Sequence, residues 1–371
     1  MKKIIFFQNI LTPYRISFFE QLVSYNNSDI KFEVFFMSKS ESGRFWEISL
    51  VNVKFPYRLG KSLYLFIRKY HFHFNPFLLL RLFFSKNEIV LMGAWNNFNN
   101  LIIIILKRMH LIENKLHIWS EANYYSARLL NNNAIVDKFR DWVLNTIDGS
   151  FLVPGQMAIK TLNSYSIKKF KYIVLPNLIN DEKYVISQAE INQRLLNIKP
   201  IVIIPARLNE GTKGLIRYFE NLGSRRVNSV KFYILGEGDD RQIIEDYINE
   251  NNLNVELCGH VAENEIIGYY KKANLFVLPS ITDPSPLSIV EACFMHLPLL
   301  VSSRCGNHYE AVNETLNGKI FDPFNKESVQ QTFDQIIDLK DKWYEMGEES
   351  FNISKLNFNN KKIIQNLIYS I

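Results

Sequence analysis

Two carboxylates and two cations in the second half of the chain have the types and spacing to do chemistry. Asp283 and Glu291 stand eight positions apart in SITDPSPLSIVEACFMHLPLLVSSRCGN (280–307), around a turn stiffened by Pro284 and Pro286. Arg207 and Lys213 lie six apart in IVIIPARLNEGTKG (201–214). Cations beside a helix N-terminus suit a phosphate or diphosphate, and carboxylates suit the vicinal hydroxyls of a ribose or sugar. Together the four fit a nucleotide sugar. Separately, each has a plainer explanation. Asp283 caps the helix that follows, Glu291 favours its dipole, and the two cations are solvated. Against capping, Asp283 precedes Leu287, the first apolar helical position, by four residues, which is far for a cap.

For the four to meet, they must stand at the C-terminal edge of one parallel sheet. The sequence is built for such a sheet. Short apolar runs alternate with longer segments of helical period, the pattern of α/β domains. Candidate strands in the first half are 3–8, 32–37, 88–93, 115–120, 149–154 and 172–177; in the second half they are 201–206, 231–236, 255–259, 274–279, 298–303 and 318–321. Helical pieces fall between them, such as TKGLIRYFENLG, with Thr212 as the expected cap and Gly223 as the stop. The pattern restarts near residue 198 after a polar stretch from 180. Two doubly wound parallel-sheet domains are expected, 1–180 and 181–354, with a C-terminal helix over about 355–371 packing back on the first. The cleft between two such domains is the expected site. YILGEGDDR is not a dinucleotide fingerprint, because Arg241 stands where the third glycine belongs.

Composition narrows the setting. The chain has 371 residues, 47% hydrophobic and 22% charged, a soluble globular balance. Cys258, Cys293 and Cys305 have neither a disulfide-framework nor a metal-ligand spacing, which suits a reducing compartment. The opening MKKIIFFQNILTPYR is too short in its apolar core for a signal peptide and reads as a first strand. The longest aliphatic run, LIIIIL (101–106), falls short of a membrane span. A cytoplasmic protein is expected.

Charge is lopsided. Residues 1–180 hold 23 Lys and Arg against 11 Asp and Glu, a balance of +12, and the rest of the chain holds 20 against 26, a balance of −6. Between Val51 and Asn87 there are seven basic residues and no acidic one. Within it the run 61–86, dense in aromatic and aliphatic residues, reads as a basic amphipathic helix on an anionic membrane surface, a core helix with exposed lysines being its plain alternative. For the charge itself, a solvated basic face is the plain alternative. No nucleic-acid motif accompanies the charge, so no nucleic-acid partner is expected.

ARLNEGTKG and DPSPLSIVE carry a resemblance, supported by ILGEGDD, LCGHV, YYKKANLFVLPS, EACFMHLPLLVSS and LNGKIFDP. Over about 200–323 the chain resembles the donor domain of family 4 glycosyltransferases, retaining enzymes of the GT-B fold. That fold comprises two Rossmann-like domains facing a central cleft. The resemblance implies that Arg207 and Lys213 grip the donor diphosphate and assist its departure, and that Glu291 binds the ribose hydroxyls. It implies that Asp283 holds the transferred sugar, that backbone near Gly259 borders the base, and that the Leu287 and Ser288 amides face the diphosphate. Its donor is a UDP- or GDP-linked sugar, with no metal and no separate cofactor. The anomeric configuration is retained, and the leaving phosphate helps to deprotonate the acceptor. Three features depart from the family pattern. Asp283 replaces a glutamate, Pro284 and Pro286 replace glycines and have no N–H, and the Arg-to-Lys element is one residue longer than usual. CGNHYEAV replaces the common Gly-Gly turn, making Gly306, Asn307 and Glu310 further donor candidates.

The N-terminal half resembles the family more loosely. Tyr14 and Arg15 follow the first strand, and Trp95 and Asn96 follow another; these are the acceptor candidates, a packed Tyr and a surface Arg being the plain alternatives. Glu121 ends a strand where it can orient the acceptor hydroxyl or take its proton, or merely cap a helix. His117, inside that strand, reads as a satisfied core histidine. The expected function is transfer of a sugar to a glycan acceptor linked to polyprenyl diphosphate, in bacterial O-antigen or capsule synthesis, at the inner face of the membrane. Lipid linkage and pathway rest on composition and charge. A nucleotide-sugar epimerase and a non-catalytic sugar- or lipid-binding subunit are the alternatives.

Overall fold

The twelve apolar runs all become strands, and all pair in parallel. They are described by a computed structural model covering residues 2–10, 12–26, 30–38, 53–60, 63–67, 70–84, 87–93, 97–126, 134–166 and 168–371. Early in the chain come β1 (Lys2–Gln8), α1 (Pro13–Tyr25), β2 (Ile30–Phe36), β3 (Tyr57–Leu59), β4 (Leu63–Ile67), β5 (Tyr70–Phe74) and α2 (Pro76–Phe83). Next are β6 (Glu88–Met92), α3 (Phe98–Arg108), β7 (Leu116–Trp119), α4 (Ala134–Thr146), β8 (Phe151–Val153), α5 (Gln156–Asn163) and β9 (Tyr172–Val174). The following stretch holds α6 (Gln188–Leu195), β10 (Ile201–Pro205), α7 (Glu210–Lys213), α8 (Leu215–Leu222), α9 (Ser224–Val227), β11 (Lys231–Leu235), α10 (Arg241–Glu250) and β12 (Val255–Leu257). The chain ends with α11 (Glu263–Lys272), β13 (Leu275–Leu278), α12 (Leu287–Phe294), β14 (Leu299–Ser302), α13 (His308–Ala311), β15 (Gly318–Phe321), α14 (Lys326–Asp338), α15 (Trp343–Asn357) and α16 (Asn360–Ser370).

Two compact units result. The first comprises Met1–Tyr124, Asn131–Leu178 and Asn360–Ile371; the second comprises Tyr125–Leu130 and Ile179–Asn359. In the first, the sheet order is β3-β2-β1-β6-β7-β8-β9. Its strands are apolar on both faces because helices cover both. Ile4, Phe6, Val34 and Val90 pack with α1 and with Ile364 and Leu367 of α16. The alternating Ile5, Phe7, Phe35 and Ile89 pack with α2, α3 and α4. The second sheet runs β12-β11-β10-β13-β14-β15, around one continuous apolar cluster. The order in each sheet reverses beside its first strand, β1 or β10, which sets the strand ends there as the ligand-binding edge.

Two expectations fail. The run 61–86 is not a single amphipathic helix. Leu63–Ile67 pairs antiparallel with Tyr70–Phe74, and only Pro76–Phe83 is helical. Aromatic-rich runs favour strands, and Pro76 at the first helical position fixes where the helix starts. Nor does Thr212 cap the helix that Gly223 ends. It lies within α7, and Gly214, at φ +61°, both closes α7 and begins α8. Among the described residues no helix is long and apolar enough to cross a membrane.

Candidate functional site

In the second unit, Lys213 and Asp283 meet as an ion pair, with side chains 17% and 14% exposed. Their encounter is built by backbone. The Thr212 carbonyl accepts the Ile281 amide at 2.8 Å and the Thr282 amide at 3.2 Å, fastening α7 to the loop after β13. Gly214 permits this approach, since a Cβ there would lie 2.7 Å from Ile281 Cγ1. The Asp283 loop is fastened on its other side to the loop after β14. The Gly306 amide donates to the Asp283 carbonyl at 2.7 Å, and a Cβ on Gly306 would lie 1.8 Å from the Pro284 carbonyl oxygen. Buried Asn307 donates from Nδ2 to the Pro286 carbonyl at 2.9 Å. Gly306 and Asn307 therefore hold the proline turn in place.

Pro286, rather than Asp283, is the N-cap residue of α12. Leu287 and Ser288 open that helix, where backbone amides lack intrahelical partners. One turn on, Glu291 accepts a 2.8 Å hydrogen bond from the hydroxyl of Tyr270, a fully buried residue of α11. Burial and the neighbouring Glu291 carboxylate push the Tyr270 phenol well above its ordinary value, so it remains a donor. Arg207 is exposed just beyond β10. The α8 N-terminus beside Lys213 is already occupied. Glu210 accepts the Leu215 and Ile216 amides at 2.9 and 3.1 Å, and burial raises its carboxyl pKa. The open helix N-terminus is that of α12. Gly259 follows β12, its carbonyl accepting the Gly236 amide at 2.9 Å, close to the Glu237–Arg241 ion pair.

The first unit carries a second cation–carboxylate pair. Arg15, in the first turn of α1, donates to Glu121 at 2.7 Å, and its guanidinium lies 3.9 Å from the centroid of the Trp119 ring. Arg15 is 6% exposed, so it is not a surface arginine. Tyr14 precedes it in the same turn. Trp95 and Asn96 lie outside the described residues. Among the described residues, three buried polar atoms at this edge find no hydrogen-bond partner: Gln8 Oε1, Thr12 Oγ1 and Trp119 Nε1. They end β1, precede α1 and end β7, and a polar ligand would satisfy them. Sequence reading missed Gln8, Thr12 and Trp119, as it missed Tyr270; only the type of each residue hinted at a role.

His117 is a core residue, fully buried. Its Nδ1 accepts the Ser150 amide at 2.9 Å and its Nε2 faces Glu88 at 3.0 Å, so the neutral ring carries its proton on Nε2. Burial lowers its pKa to about 4.

Comparison with known proteins matches this geometry to a family. Residues 187–352 match the family described as glycosyl transferases group 1. The UDP-Gal:alpha-D-GlcNAc-diphosphoundecaprenol alpha-1,3-galactosyltransferase of Escherichia coli is 26% identical over 195 residues, covering 47% of this chain and 49% of that protein. An uncharacterized glycosyltransferase of Methanocaldococcus jannaschii is 30% identical over 145 residues, 37% of this chain and 35% of that protein. The chain thus spans half or less of the length of the curated relatives it matches. Among solved structures, Anabaena HepE in complex with UDP and glucose gives a TM-score of 0.73 at 15% identity, over 99% of this chain and 98% of that one. Sucrose-phosphate synthase from Thermosynechococcus elongatus gives 0.75 at 14% identity, over 99% and 97%. The chain has the two Rossmann-like parallel-sheet domains of the GT-B fold, and residues 187–352, within its second unit, resemble the glycosyl transferases group 1 family.

Proposed function

We propose that the chain is a retaining, metal-independent family 4 glycosyltransferase that moves a sugar from a UDP- or GDP-linked donor to a glycan acceptor. The reading rests above all on Lys213 and Asp283 being locked together beside the open N-terminus of α12, with Glu291 held one turn away by Tyr270. An ammonium has three donors, so Lys213 can hold Asp283 and a phosphate oxygen at once. Arg207 and the Leu287 and Ser288 amides complete the diphosphate grip, Glu291 takes the ribose hydroxyls, and Asp283 takes the sugar. Gly259 borders the base.

As the bond from the anomeric carbon to the diphosphate breaks, charge develops on the leaving oxygen. Lys213, Arg207 and the helix dipole stabilise it. The acceptor hydroxyl attacks from the face that the diphosphate leaves, and a phosphate oxygen takes its proton. Glu121, steadied by Arg15, orients that hydroxyl; Tyr14, Trp95 and Asn96 are assigned to the acceptor. The shortened acid and the paired prolines set the choice of sugar. The Escherichia coli relative is named for a diphosphoundecaprenol acceptor, and a polyprenyl-diphosphate-linked glycan is proposed here as well. The role proposed with it is bacterial surface-polysaccharide synthesis, peripheral on the cytoplasmic face of the membrane.

The test is a panel of nucleotide sugars screened for thermal stabilisation, followed by transfer to a synthetic lipid-linked acceptor. A ligand at 100 times its Kd stabilises by about 2.7 kcal/mol, which is readily seen. A folded protein that no nucleotide or nucleotide sugar shifts would sink the donor assignment. Inversion of the product's anomeric centre, read by NMR, would sink retention alone.

A further inference from the structure

The outer side of one helix layer of the first unit is apolar, while its inner side fills the core. In α2, Leu78, Leu79 and Leu82 pack inward with the sheet. Phe77, Leu80 and Phe84, spaced by three and four, point outward with 74%, 53% and 90% of their surface exposed. Ile105 and Met109 extend this surface along and just beyond α3, and Ile135 begins it on α4, at 77% exposure. The three helices are neighbours. Asn75 and Asn99 bond each other reciprocally at the starts of α2 and α3, at 3.0 Å in both bonds, and α3 packs on α4. In the other layer, α1 and α16, Val23 and Tyr369 are the exposed large apolar side chains among the described residues. So the exposed apolar surface is concentrated on one side of the unit.

Charge selects the occupant. Neither α2 nor α3 contains a carboxylate, and each ends in cations: Arg81 on α2, Lys107 and Arg108 on α3. Of the nearby acids, Asp137 pairs with Arg140 and Asp148 with Lys107, and Asp141 on α4 has no ion pair among the described residues. A second copy docking face to face would set these cations against themselves. An apolar surface with Arg81 and Arg108 in no ion pair among the described residues matches an anionic bilayer.

The geometry points to the α2–α3–α4 face as a bilayer-docking surface. Phe77, Leu80, Phe84, Met109 and Ile135 enter the interface, and Arg81 and Arg108 meet anionic headgroups. This deepens the proposed use of a lipid-linked acceptor and rests on it for purpose, but the docking itself is separately measurable.

The experiment is flotation of the full chain with phosphatidylcholine vesicles, with and without 30% phosphatidylglycerol (roughly a bacterial anionic fraction), alongside UDP-induced thermal shift. Wild type should float with the anionic vesicles and much less with the neutral ones. The triple variant Phe77→Ser, Leu80→Ser, Phe84→Ser should lose on the order of 100-fold in partitioning, with its UDP shift unchanged. Arg81→Glu with Arg108→Glu should lose about tenfold on anionic vesicles only. A control triple on the second unit, Leu196→Ser, Ile198→Ser, Leu356→Ser, should float like wild type. The proposal is overturned if wild type ignores both vesicle types, if the α2 triple floats like wild type, or if that triple only abolishes self-association. A protein that floats but shows no shift with any nucleotide or nucleotide sugar keeps this face and loses the glycosyltransferase reading.

Discussion

Each unit of this chain sets a cation against a carboxylate at the C-terminal edge of its sheet, but the two pairs are built differently. In the second unit Lys213 and Asp283 follow adjacent strands, β10 and β13, and meet through loops interlocked by backbone hydrogen bonds. In the first, Arg15 and Glu121 follow β1 and β7, with β6 between them, and meet because a long guanidinium is laid across Trp119. In the second unit backbone bonds fix the separation of the two loops, whereas in the first the stacked ring orients the cation itself. Both edges keep buried polar atoms with no hydrogen-bond partner among the described residues: Gln8 Oε1, Thr12 Oγ1 and Trp119 Nε1 at the first, Ser280 Oγ, Thr282 Oγ1 and Asn307 Oδ1 at the second, where Glu291 already has Tyr270. The second edge is therefore set by interlocked backbone and the first by packed side chains.

If this contrast is right, variants at the two edges should separate cleanly. The largest effect is expected for Lys213→Ala, which removes a leaving-group contact and leaves Asp283 without its ion pair. kcat/KM for transfer should fall about 10³-fold, and retention of wild-type rates would remove the diphosphate role. Gly306→Ala should follow, destabilising the second unit by about 3 kcal/mol through the clash with Pro284, read by denaturant titration. An ordinary surface-sized effect there would mean the loops are not interlocked as described. Glu121→Gln should lower transfer about 100-fold while leaving the UDP-induced thermal shift intact; a lost shift would merge the two edges into one role. Tyr270→Phe should raise donor KM about tenfold with kcat little changed, and narrow the preference for UDP over dUDP. An unchanged KM would show that Glu291 needs no positioning.

The smallest effect concerns pH and the first unit alone. His117 is lowered to about 4 by burial, against an ordinary value of 6.5. The unfolded chain takes up this proton below pH 6.5 and the folded chain does so only near 4. Stability from this group is therefore complete above 6.5 and declines as pH falls from 6.5 towards 4. Tm should drop by several degrees across that window, with amide exchange rising first in β7. His117→Asn, less stable at neutral pH, should flatten the slope; a parallel slope would assign the acid sensitivity elsewhere.

Much of this was legible in the sequence. Apolar runs gave the strands because a strand covered on both faces must be apolar throughout. Asp283, Glu291, Arg207 and Lys213 stood out because their order along the chain followed the strand ends. What was missed depends on partners remote in sequence. Tyr270 looked like one more aromatic in YYKKANLFVLPS until α11 packed its hydroxyl against Glu291. Glu210 was passed over, although it fills the helix start that Lys213 seemed to offer. Residues 63–74 were read as helix because charge and hydrophobicity were weighed above the aromatic content that favours pairing.

The sequence alone determined two α/β sheets, the edge at which a ligand belongs, and the four charged side chains carried there in ARLNEGTKG and DPSPLSIVE. Periodicity and strand-end position are local properties, written in consecutive residues. Only the tertiary structure decided that Lys213 pairs with Asp283, that Arg15 pairs with Glu121, that the open helix N-terminus is that of α12, and that one helix layer shows its apolar side outward. Each of these depends on which distant backbones approach closely enough to bond, and packing of the whole sheet sets that distance.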